Sequence, residues 1–339
     1  MDSERPGVDG EREGRERGLM PARARADDVV FVGGTGRSGT HVIARLLGRH
    51  SRYFMVPIEG RFHCNPSGLA DLVTGRATPD EFVAKLRRFW WHRVRHEGGP
   101  LRRLSPLARR RGRVRGLHKI IARDRFEEAV SRFEASSTRD VVQASRDLFF
   151  DLLRPLAEEA GKPAIVEMSC FTIASAPGLE AIFPEARFVH AVRDGRDSGS
   201  SKAAKRHKEH HPTGVADGID WWLERLRLAE RGVSGLRDPG RVVAISLDEL
   251  VWGDRERAYR ELLDFLELEE EPAMREFFDG EVHADAAHRE RWREGLTEAE
   301  QEQVRLRYEE ALERLEREGY HCAPLLRRSY ERPAVKGGL

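Results

Sequence analysis

The 339-residue sequence has few cysteines, no long apolar run and almost no net charge, and each absence excludes a class of protein. Its three cysteines, Cys64, Cys170 and Cys322, are widely spaced and odd in number, so neither a disulfide framework nor a zinc cluster is indicated. No apolar stretch approaches the roughly 18 residues of a membrane span, and the charged N-terminus lacks a signal-peptide core. We therefore expect a soluble, cytoplasmic protein with no integral membrane segment.

The balance of charge limits the choice of partner. Lysine and arginine together number 59 against 58 acidic residues, which argues against bulk nucleic-acid binding and places any electrostatic specialisation in local patches. Residues 1–27 carry few apolar side chains and are expected to form a disordered N-terminal tail. The rest of the chain is long enough for one large domain, which we expect over 28–325, followed by a C-terminal tail over 326–339.

The strongest local pattern lies in residues 29–49. Four apolar residues from Val29 to Val32 are typical of a buried strand in a parallel sheet; a glycine-rich turn follows, and apolar residues then recur at helical spacing. A strand, a glycine loop and the N-terminus of a helix together form a cradle for an anion, with phosphate the expected ligand. The ligand-binding residues that we predict in this loop are Gly34, Thr35, Gly36, Arg37, Ser38, Gly39, Thr40 and His41.

The same loop lacks the residues of a magnesium-nucleotide site. In the pattern G-x-x-x-x-G-K-[ST], Thr40 stands where the lysine belongs and His41 where the metal-binding hydroxyl belongs. A nucleotide kinase with a degenerate loop stays open as an alternative that would need Mg²⁺, whereas a nucleophile elbow is disfavoured because Thr40 replaces its last glycine. The loop's only cation is Arg37, which can bind phosphate or sulfate oxygens through two N–H groups.

This loop resembles a known one. It consists of a strand, a basic residue, the sequence Ser-Gly-Thr and a helix, in that order. This arrangement is similar to the 5′-phosphosulfate loop of sulfotransferases that use 3′-phosphoadenosine 5′-phosphosulfate (PAPS). A tight connection that binds nothing is the alternative for this stretch alone.

A second strand, turn and helix is predicted over residues 183–207. Arg193 ends the strand Phe188 to Val192, and Ser201 lies about one turn into the following helix, so both side chains can reach one anion. The pair resembles the 3′-phosphate site of the same sulfotransferases, in which an arginine and a serine eight residues later bind the phosphate. A structural ion pair of Arg193 is the alternative.

A basic loop precedes the last long helix. Arg291 and Arg293 flank Trp292, and Thr297 with Glu300 is predicted to form a capping box at the start of the helix. Similar sulfotransferases have a basic, tryptophan-containing loop here that covers the adenosine 3′-phosphate, so the resemblance assigns both arginines to cofactor binding. Ion pairing with the acidic helix beyond is the alternative.

A carboxylate follows the second predicted strand, Tyr53 to Val56. Glu59 lies just beyond that strand, at the sheet edge expected to carry the glycine loop. In tyrosylprotein sulfotransferases and similar bacterial enzymes, a glutamate at about this distance after the loop arginine is the general base, and the resemblance gives Glu59 that catalytic role beside Arg37. A solvent-exposed loop glutamate is the alternative, with His63 and His118 as replacement bases.

The chain departs from the family pattern after its third predicted strand, in residues 164–172. Related enzymes commonly carry a lysine there, where this chain has Met168. Charge neutralisation of the leaving phosphate then falls to Arg37, with Lys119 as a second candidate. We do not expect Cys170 to act as a nucleophile, because no histidine that would activate it lies nearby in sequence.

No metal ligand set is expected for catalysis. A group of three histidines, His207, His210 and His211, is a candidate metal site, but no suitably spaced carboxylate or cysteine completes it. The glycine loop likewise predicts donor binding that requires no metal, because it supplies Arg37 and hydroxyls but no lysine paired with a Mg²⁺ site.

Taken over residues 29–63, 163–212 and 241–319, the resemblance is to PAPS-dependent sulfotransferases, of the bacterial, tyrosylprotein sulfotransferase-like type. It implies a three-layer α/β fold: a P-loop-like central parallel sheet of about five strands, helices on both faces and a mainly helical cap over 62–160 that contacts the acceptor. The implied reaction moves the sulfuryl group from PAPS to a hydroxyl or amine and releases adenosine 3′,5′-bisphosphate. The acceptor, whether a small molecule, glycan, lipid or peptide, stays open.

A non-catalytic protein of the same fold is the alternative from a different class. It would bind an acidic glycan through the basic segment 85–125. The alternative for this segment is a solvent-exposed linker between helices.

Overall fold

The computed structural model describes residues 29–95, 113–204, 212–284 and 289–332. The predicted N-terminal tail, the histidines at 207, 210 and 211 and the middle of the basic segment lie outside these ranges. In the described parts of the chain, no helix is both long enough and apolar enough to cross a membrane.

The described residues form seven strands and thirteen α-helices. In chain order they are β1 (Val29–Gly34), α1 (Thr40–Leu47), β2 (Tyr53–Met55), α2 (Leu69–Val73), α3 (Pro79–Lys85), β3 (Arg93–Arg95), β4 (Arg113–Arg115), α4 (Arg123–Ser136), α5 (Val141–Glu159), β5 (Ala164–Met168), α6 (Ala176–Ile182), β6 (Arg187–Val192), α7 (Gly195–Ala203), α8 (Val215–Ser234), β7 (Val242–Ser246), α9 (Leu247–Trp252), α10 (Arg255–Leu266), α11 (Pro272–Glu281), α12 (Glu298–Arg317) and α13 (Ala323–Glu331).

Five strands form one parallel sheet in the order β2-β5-β1-β6-β7. β1 lies at its centre, with Val32 opposite Met168 of β5 and Gly33 opposite His190 of β6. After β1 the chain builds one side of the sheet with β2 and β5, then crosses to the other side with β6 and β7. Ligands of such sheets bind at the carboxyl ends of the strands where the order reverses, which is here the end of β1.

Side chains of the sheet alternate between two helical layers. Phe31 and Phe188 face the layer of α5, α6 and part of α8. Val30 and Val32 face the opposite layer, formed by α1, α9, α10 and α11. The far end of the sheet, with Val192, packs against α8, α12 and α13. The predicted three-layer α/β fold with helices on both faces is therefore confirmed.

The cap over residues 62–160 is mainly helical but not wholly so. A π-helical turn, Leu86–Trp90, follows α3, and the short strands β3 and β4 pair antiparallel, a feature that the sequence did not predict. Cap residues such as Phe62 and Phe126 belong to the same core cluster as Phe31 of the central strand. The cap and the sheet therefore share one core.

Helical structure continues past residue 325, the C-terminal domain boundary that the sequence predicts. The chain continues as α13 to Glu331, and Leu326 is fully buried in the cluster that also holds Leu312 of α12. Pro324 occupies the first turn, where a missing N–H is tolerated, and the adjacent leucines give the helix its apolar side.

Candidate active site

The loop between β1 and α1 turns sharply over five residues. Gly39, the N-cap of α1, has a φ of 92°, in the left-handed region that favours glycine. Gly34 is required for a different reason, since a Cβ there would lie 2.4 Å from the Ala191 carbonyl oxygen and 2.6 Å from Ser38 Oγ. Arg37 also has a positive φ, 63°, although it is not glycine. A loop that holds a non-glycine residue in this conformation stores strain, which is common where ligands bind.

Polar groups of the loop face inward. Ser38 is fully buried, and its Oγ has no hydrogen-bond partner in the described residues. The Thr35 hydroxyl donates to the Gly36 carbonyl oxygen, and the N-cap Gly39 offers no side chain to the first N–H groups of α1. Such N–H groups and a free hydroxyl at the positive end of a helix form an anion-binding surface. Thr40 is buried at this helix start, whereas His41 is exposed.

The second predicted motif meets the loop at Arg37. The Arg37 Nε donates to Ser201 Oγ at 2.8 Å, and Arg193 Nη1 lies 3.4 Å from the Arg37 carbonyl oxygen, which it contacts as donor. The Arg193 guanidinium also lies 3.9 Å from Asp197 on the next turn of α7. Residues predicted from two separate motifs, Arg37 from one and Arg193 with Ser201 from the other, thus form one cluster at the sheet edge.

α7 is held in place by buried acids. Its N-cap Asp194 accepts from the Arg196 N–H and guanidinium, and its own N–H donates to Asp248 at 2.7 Å. Burial and the charge of Asp194 raise the pKa of Asp197 to about 6 and that of Asp248 to about 7. These carboxyl groups fix the start of the helix that carries Ser201.

The basic loop is attached to the same helix. Asp197 accepts from the N–H of Glu290 at 3.0 Å and from that of Trp292 at 3.4 Å. The guanidinium of Arg291 pairs with Glu294 at 3.5 Å, and that of Arg293 donates to Gln301 on α12 at 3.0 Å. The predicted capping box of Thr297 and Glu300 is formed. The loop's backbone is therefore fixed beside α7, while its two exposed arginines contact residues of their own loop and helix.

Trp292 itself has a structural role. It is buried and, with Tyr308 and Tyr330, surrounds the Arg196 guanidinium, which lies 4.8–5.1 Å from the three ring centroids. This cation–π cage joins α7 to α12 and α13.

Glu59 follows β2, which lies on the opposite side of β1 from β6 and Arg193. It accepts from Arg61 Nε at 2.6 Å, and Arg61 has a left-handed backbone with a φ of 65°. Burial and the charge of Glu59 raise the pKa of the Cys170 thiol to about 11, whereas Arg61 and Lys202 lower it. A Cβ at Gly36 would lie 3.4 Å from Cys170 Sγ, so this thiol borders the loop. A thiol with so high a pKa is a poor nucleophile.

A buried ion pair supports the turn that carries Glu59, and sequence reasoning missed it. Glu167 accepts from the Gly60 N–H at 3.0 Å and lies 2.8 Å from His63 Nε2, and both side chains are fully buried. Burial would lower the pKa of His63, but the neighbouring Cys64 and Glu167 raise it to about 10. The one available signal was a glutamate within the apolar run of β5. His63 is thus enclosed and paired, which makes it unsuitable as a replacement base.

The remaining predicted residues lie elsewhere. His118, in the cap, contacts the Trp91 carbonyl oxygen at 2.7 Å, and Lys119 next to it is exposed. Met168 is buried in the core on the α1 side of the sheet. The cation that sequence reasoning did not name is Lys202, which follows Ser201 and lies 4.9 Å above the Trp221 ring.

The sequence model of the sulfotransferase family matches residues 29–272, which include the loop, Glu59, Arg193 and Ser201. The chain belongs to the sulfotransferase family. It is therefore a transferase of the kind that moves sulfuryl groups. Among curated proteins, no sequence matches it.

Solved sulfotransferases show a distant likeness. The sulfotransferase domain of the curacin biosynthetic pathway is 19% identical, with a TM-score of 0.46 over 76% of this chain and 80% of that one. The sulfotransferase domain of the Synechococcus PCC 7002 olefin synthase is 15% identical, with a TM-score of 0.47 over 86% and 95%. Sulfotransferase STF9 from Mycobacterium avium is 15% identical, with a TM-score of 0.42 over 85% and 76%. Likenesses at this level carry no information about donor or acceptor.

Proposed function

We propose that this sulfotransferase takes its sulfuryl group from PAPS, passes it to a hydroxyl or amine of an acceptor and releases adenosine 3′,5′-bisphosphate. The observation that carries the proposal is the contact of Arg37 with both Ser201 and Arg193, residues 164 and 156 positions away in sequence. A donor with two separate anionic groups needs two anion sites side by side, and this cluster joins them.

The residues present fit such a donor. The loop supplies a guanidinium, hydroxyls and helix N–H groups, all of which bind phosphate or sulfate oxygens without a metal. The buried Ser38 Oγ has no protein partner within the described residues, as expected for a group whose partner is a ligand. Gly34 keeps the floor of the cradle open, because a Cβ there would collide with Ser38 Oγ.

Each residue of the donor site then has a role. Arg37 and the N–H groups from Thr35 to His41 hold the phosphosulfate end and stabilise the charge that develops on it. Arg193 and Ser201 hold the 3′-phosphate, and the attached loop supplies Arg291 and Arg293. PAPS, when bound, supplies an activated sulfuryl group on its 5′-phosphate. Lys202, next to Ser201, is a further cation for the departing phosphate. It would supply a positive charge that Met168, in the position of the family's lysine, cannot.

Glu59 is proposed as the general base. Its carboxylate is held by Arg61 and raises the pKa of the Cys170 thiol beside the loop, and in that position it would take a proton from an acceptor hydroxyl or amine. The cap over 62–160, which begins three residues after Glu59, is then the side from which the acceptor approaches.

Binding and turnover test the proposal together. We expect adenosine 3′,5′-bisphosphate to bind with undiminished affinity in magnesium-free buffer containing EDTA, and ATP with Mg²⁺ to bind far more weakly. Transfer of label from PAPS to members of an acceptor panel should follow. A strict need for Mg²⁺ would instead favour the kinase, and tight bisphosphate binding without turnover on any acceptor would favour the non-catalytic glycan-binding alternative.

A further inference from the structure

His190 is a buried histidine without a function in sulfuryl transfer. It lies in the middle of β6, opposite Gly33 of β1 and Ala244 of β7, and it is fully buried. Neither of its ring nitrogens has a hydrogen-bond partner in the described residues. Leaving buried polar atoms unsatisfied costs free energy, so a side chain of this kind calls for an explanation such as a missing ligand.

Two further donor atoms face the same space. His321 and Cys322 form the turn between α12 and α13, and one ligand atom from each, together with one from His190, lies within 4.8 Å of the others. The rings of His190 and His321 are nearly parallel, with centroids 5.5 Å apart. Cys322 is a fully buried free thiol, and His321 Nε2 has no hydrogen-bond partner in the described residues.

Glu230 of α8 orients the second histidine. Its carboxylate accepts from the His321 backbone N–H at 2.8 Å and lies 3.2 Å from His321 Nδ1. A histidine that ligates a metal through one ring nitrogen typically donates its other N–H to a carboxylate in this way. The pairing at Nδ1 leaves Nε2 of His321 as the atom available to a metal.

We propose that His190, His321 and Cys322 bind one Zn²⁺ ion, with water in the fourth position. Two imidazoles and a thiolate are the donors that zinc prefers, in tetrahedral sites with bonds of about 2.0–2.3 Å. The ligand atoms of such a site lie about 3.3–3.8 Å apart, so the three atoms here need to move about 1 Å closer together to bind one ion. Binding releases the thiol proton of Cys322 to solvent.

The ion would act as a structural clamp. It would tie the turn between α12 and α13 to the central sheet and, through Glu230, to α8. Those two C-terminal helices supply Tyr308 and Tyr330 to the Arg196 cage, so the clamp would support the packing behind α7 without touching the loop.

Cobalt(II) is the probe for the test, because a cobalt–thiolate bond has a charge-transfer band in the near ultraviolet that histidine and carboxylate ligands do not give. Tag-free full-length protein, stripped of metal, is titrated with Co²⁺ and then with Zn²⁺. We expect one equivalent of Co²⁺ to produce the thiolate band together with tetrahedral d–d bands, and one equivalent of Zn²⁺ to remove both. Zinc should also raise the melting temperature.

Variants assign the ligands. Cys322→Ser should lose the charge-transfer band, and His190→Gln should weaken cobalt binding by at least a hundredfold. Glu230→Gln should weaken it by about 10–100-fold, as expected for a group that orients a ligand. Cys64→Ser and Cys170→Ser are the matched controls, because each removes another cysteine and should keep the band. Replacing His207, His210 and His211 together by alanine should also keep it.

Two results would overturn the proposal. One is wild-type protein, folded by circular dichroism, that shows no thiolate band with cobalt in millimolar excess. The other is a band that survives in Cys322→Ser. Nucleotide binding is repeated on zinc-loaded protein in magnesium-free buffer without EDTA, so failure of this site and failure of the proposed donor site are distinguished.

Discussion

In one half of the site, formed by the β1 loop and α7, the sheet itself positions the side chains. This is the proposed donor half. Arg37 and Arg193 each lie just beyond the carboxyl end of a central parallel strand, and hydrogen-bonded register between β1 and β6 brings them together. The other half is the proposed acceptor half. Glu59 there follows a strand of only three residues at the sheet edge, and it lies on a turn that the buried pair of His63 and Glu167 supports.

The two halves differ in how much the position of their side chains depends on a few packing contacts in the core. Strand register is fixed by many backbone hydrogen bonds, so a single substitution on the donor side should change ligand contacts and little else. The turn at Glu59 depends on one fully buried ion pair, and removing either partner leaves an uncompensated charge in the core. Substitutions on the two sides should therefore give different signatures, in affinity on one side and in turnover or folding on the other.

The largest effect is expected at Glu59. Glu59→Gln keeps the shape of the side chain but cannot accept a proton, so turnover should fall by roughly 10²–10⁴ while bisphosphate affinity barely moves. Steady-state transfer from PAPS and a binding titration measure the two quantities. Glu158→Gln, at an exposed position near the end of α5, is the control. Near wild-type turnover with an acceptor whose attack needs a base would show that Glu59 has another role.

Removal of His63 tests the support beneath that glutamate. His63→Gln should lower the free energy of unfolding by about 3–5 kcal/mol, because Glu167 keeps its charge without a partner. The double variant with Glu167→Gln should be more stable than the single one, since the unpaired charge is then gone. Denaturant unfolding of the three proteins gives both numbers. Additive losses would mean that the two side chains do not interact.

The same pair predicts a dependence of stability on pH. The pKa of His63 is raised from 6.5 to about 10 in the folded protein, so its contribution is fully present below pH 6.5 and is lost as the pH rises towards 10. Denaturant unfolding at intervals between pH 7 and pH 10 should therefore show a steeper decline in wild type than in His63→Gln. Parallel curves would assign the decline to other groups.

On the donor side, Arg193→Ala should weaken adenosine 3′,5′-bisphosphate binding by about ten- to a hundredfold, the equivalent of roughly 1.5–3 kcal/mol for a charge-assisted hydrogen bond. Adenosine 5′-phosphosulfate lacks the 3′-phosphate, so its affinity should hardly change. Arg187→Ala, at the opposite end of β6, is the matched control. An equal loss for both ligands would make Arg193 a structural residue.

The smallest effect is expected where the basic loop joins α12. Thr297→Ala removes a formed capping box and should destabilise the protein by about 1 kcal/mol, with a slight loss of bisphosphate affinity as the segment with Arg291 and Arg293 loosens. Thermal unfolding and binding titrations measure the two effects. Glu310→Ala, on an exposed face of the same helix, should change neither.

Much of the donor half was predictable because local pattern and parallel topology decide it. An apolar run, a glycine loop and an arginine after a later strand each specify a position at one sheet edge, so the meeting of Arg37, Arg193 and Ser201 follows without knowledge of the packing. The roles of these residues stay predictions until the ligand experiments are done.

The support of the acceptor half could not be predicted in the same way. Glu167 is a charge within an apolar strand, and nothing local indicates that its partner is His63 on a distant turn. α13 was missed for a related reason, because Leu325 and Leu326 form a short apolar pair whose burial depends on α12. Lys202 became a candidate only when the fold brought it beside the loop.

The core shared by cap and sheet limits how this enzyme can be redesigned. Phe31 of the central strand packs in one cluster with Phe62 and Phe126 of the cap, so replacing the whole segment 62–160 by that of another enzyme would expose the interior of the host. A graft of that kind is expected to yield insoluble protein rather than a new specificity. Libraries that vary only the exposed side chains around Glu59 leave this shared core unchanged, and they are the practical route to a different acceptor.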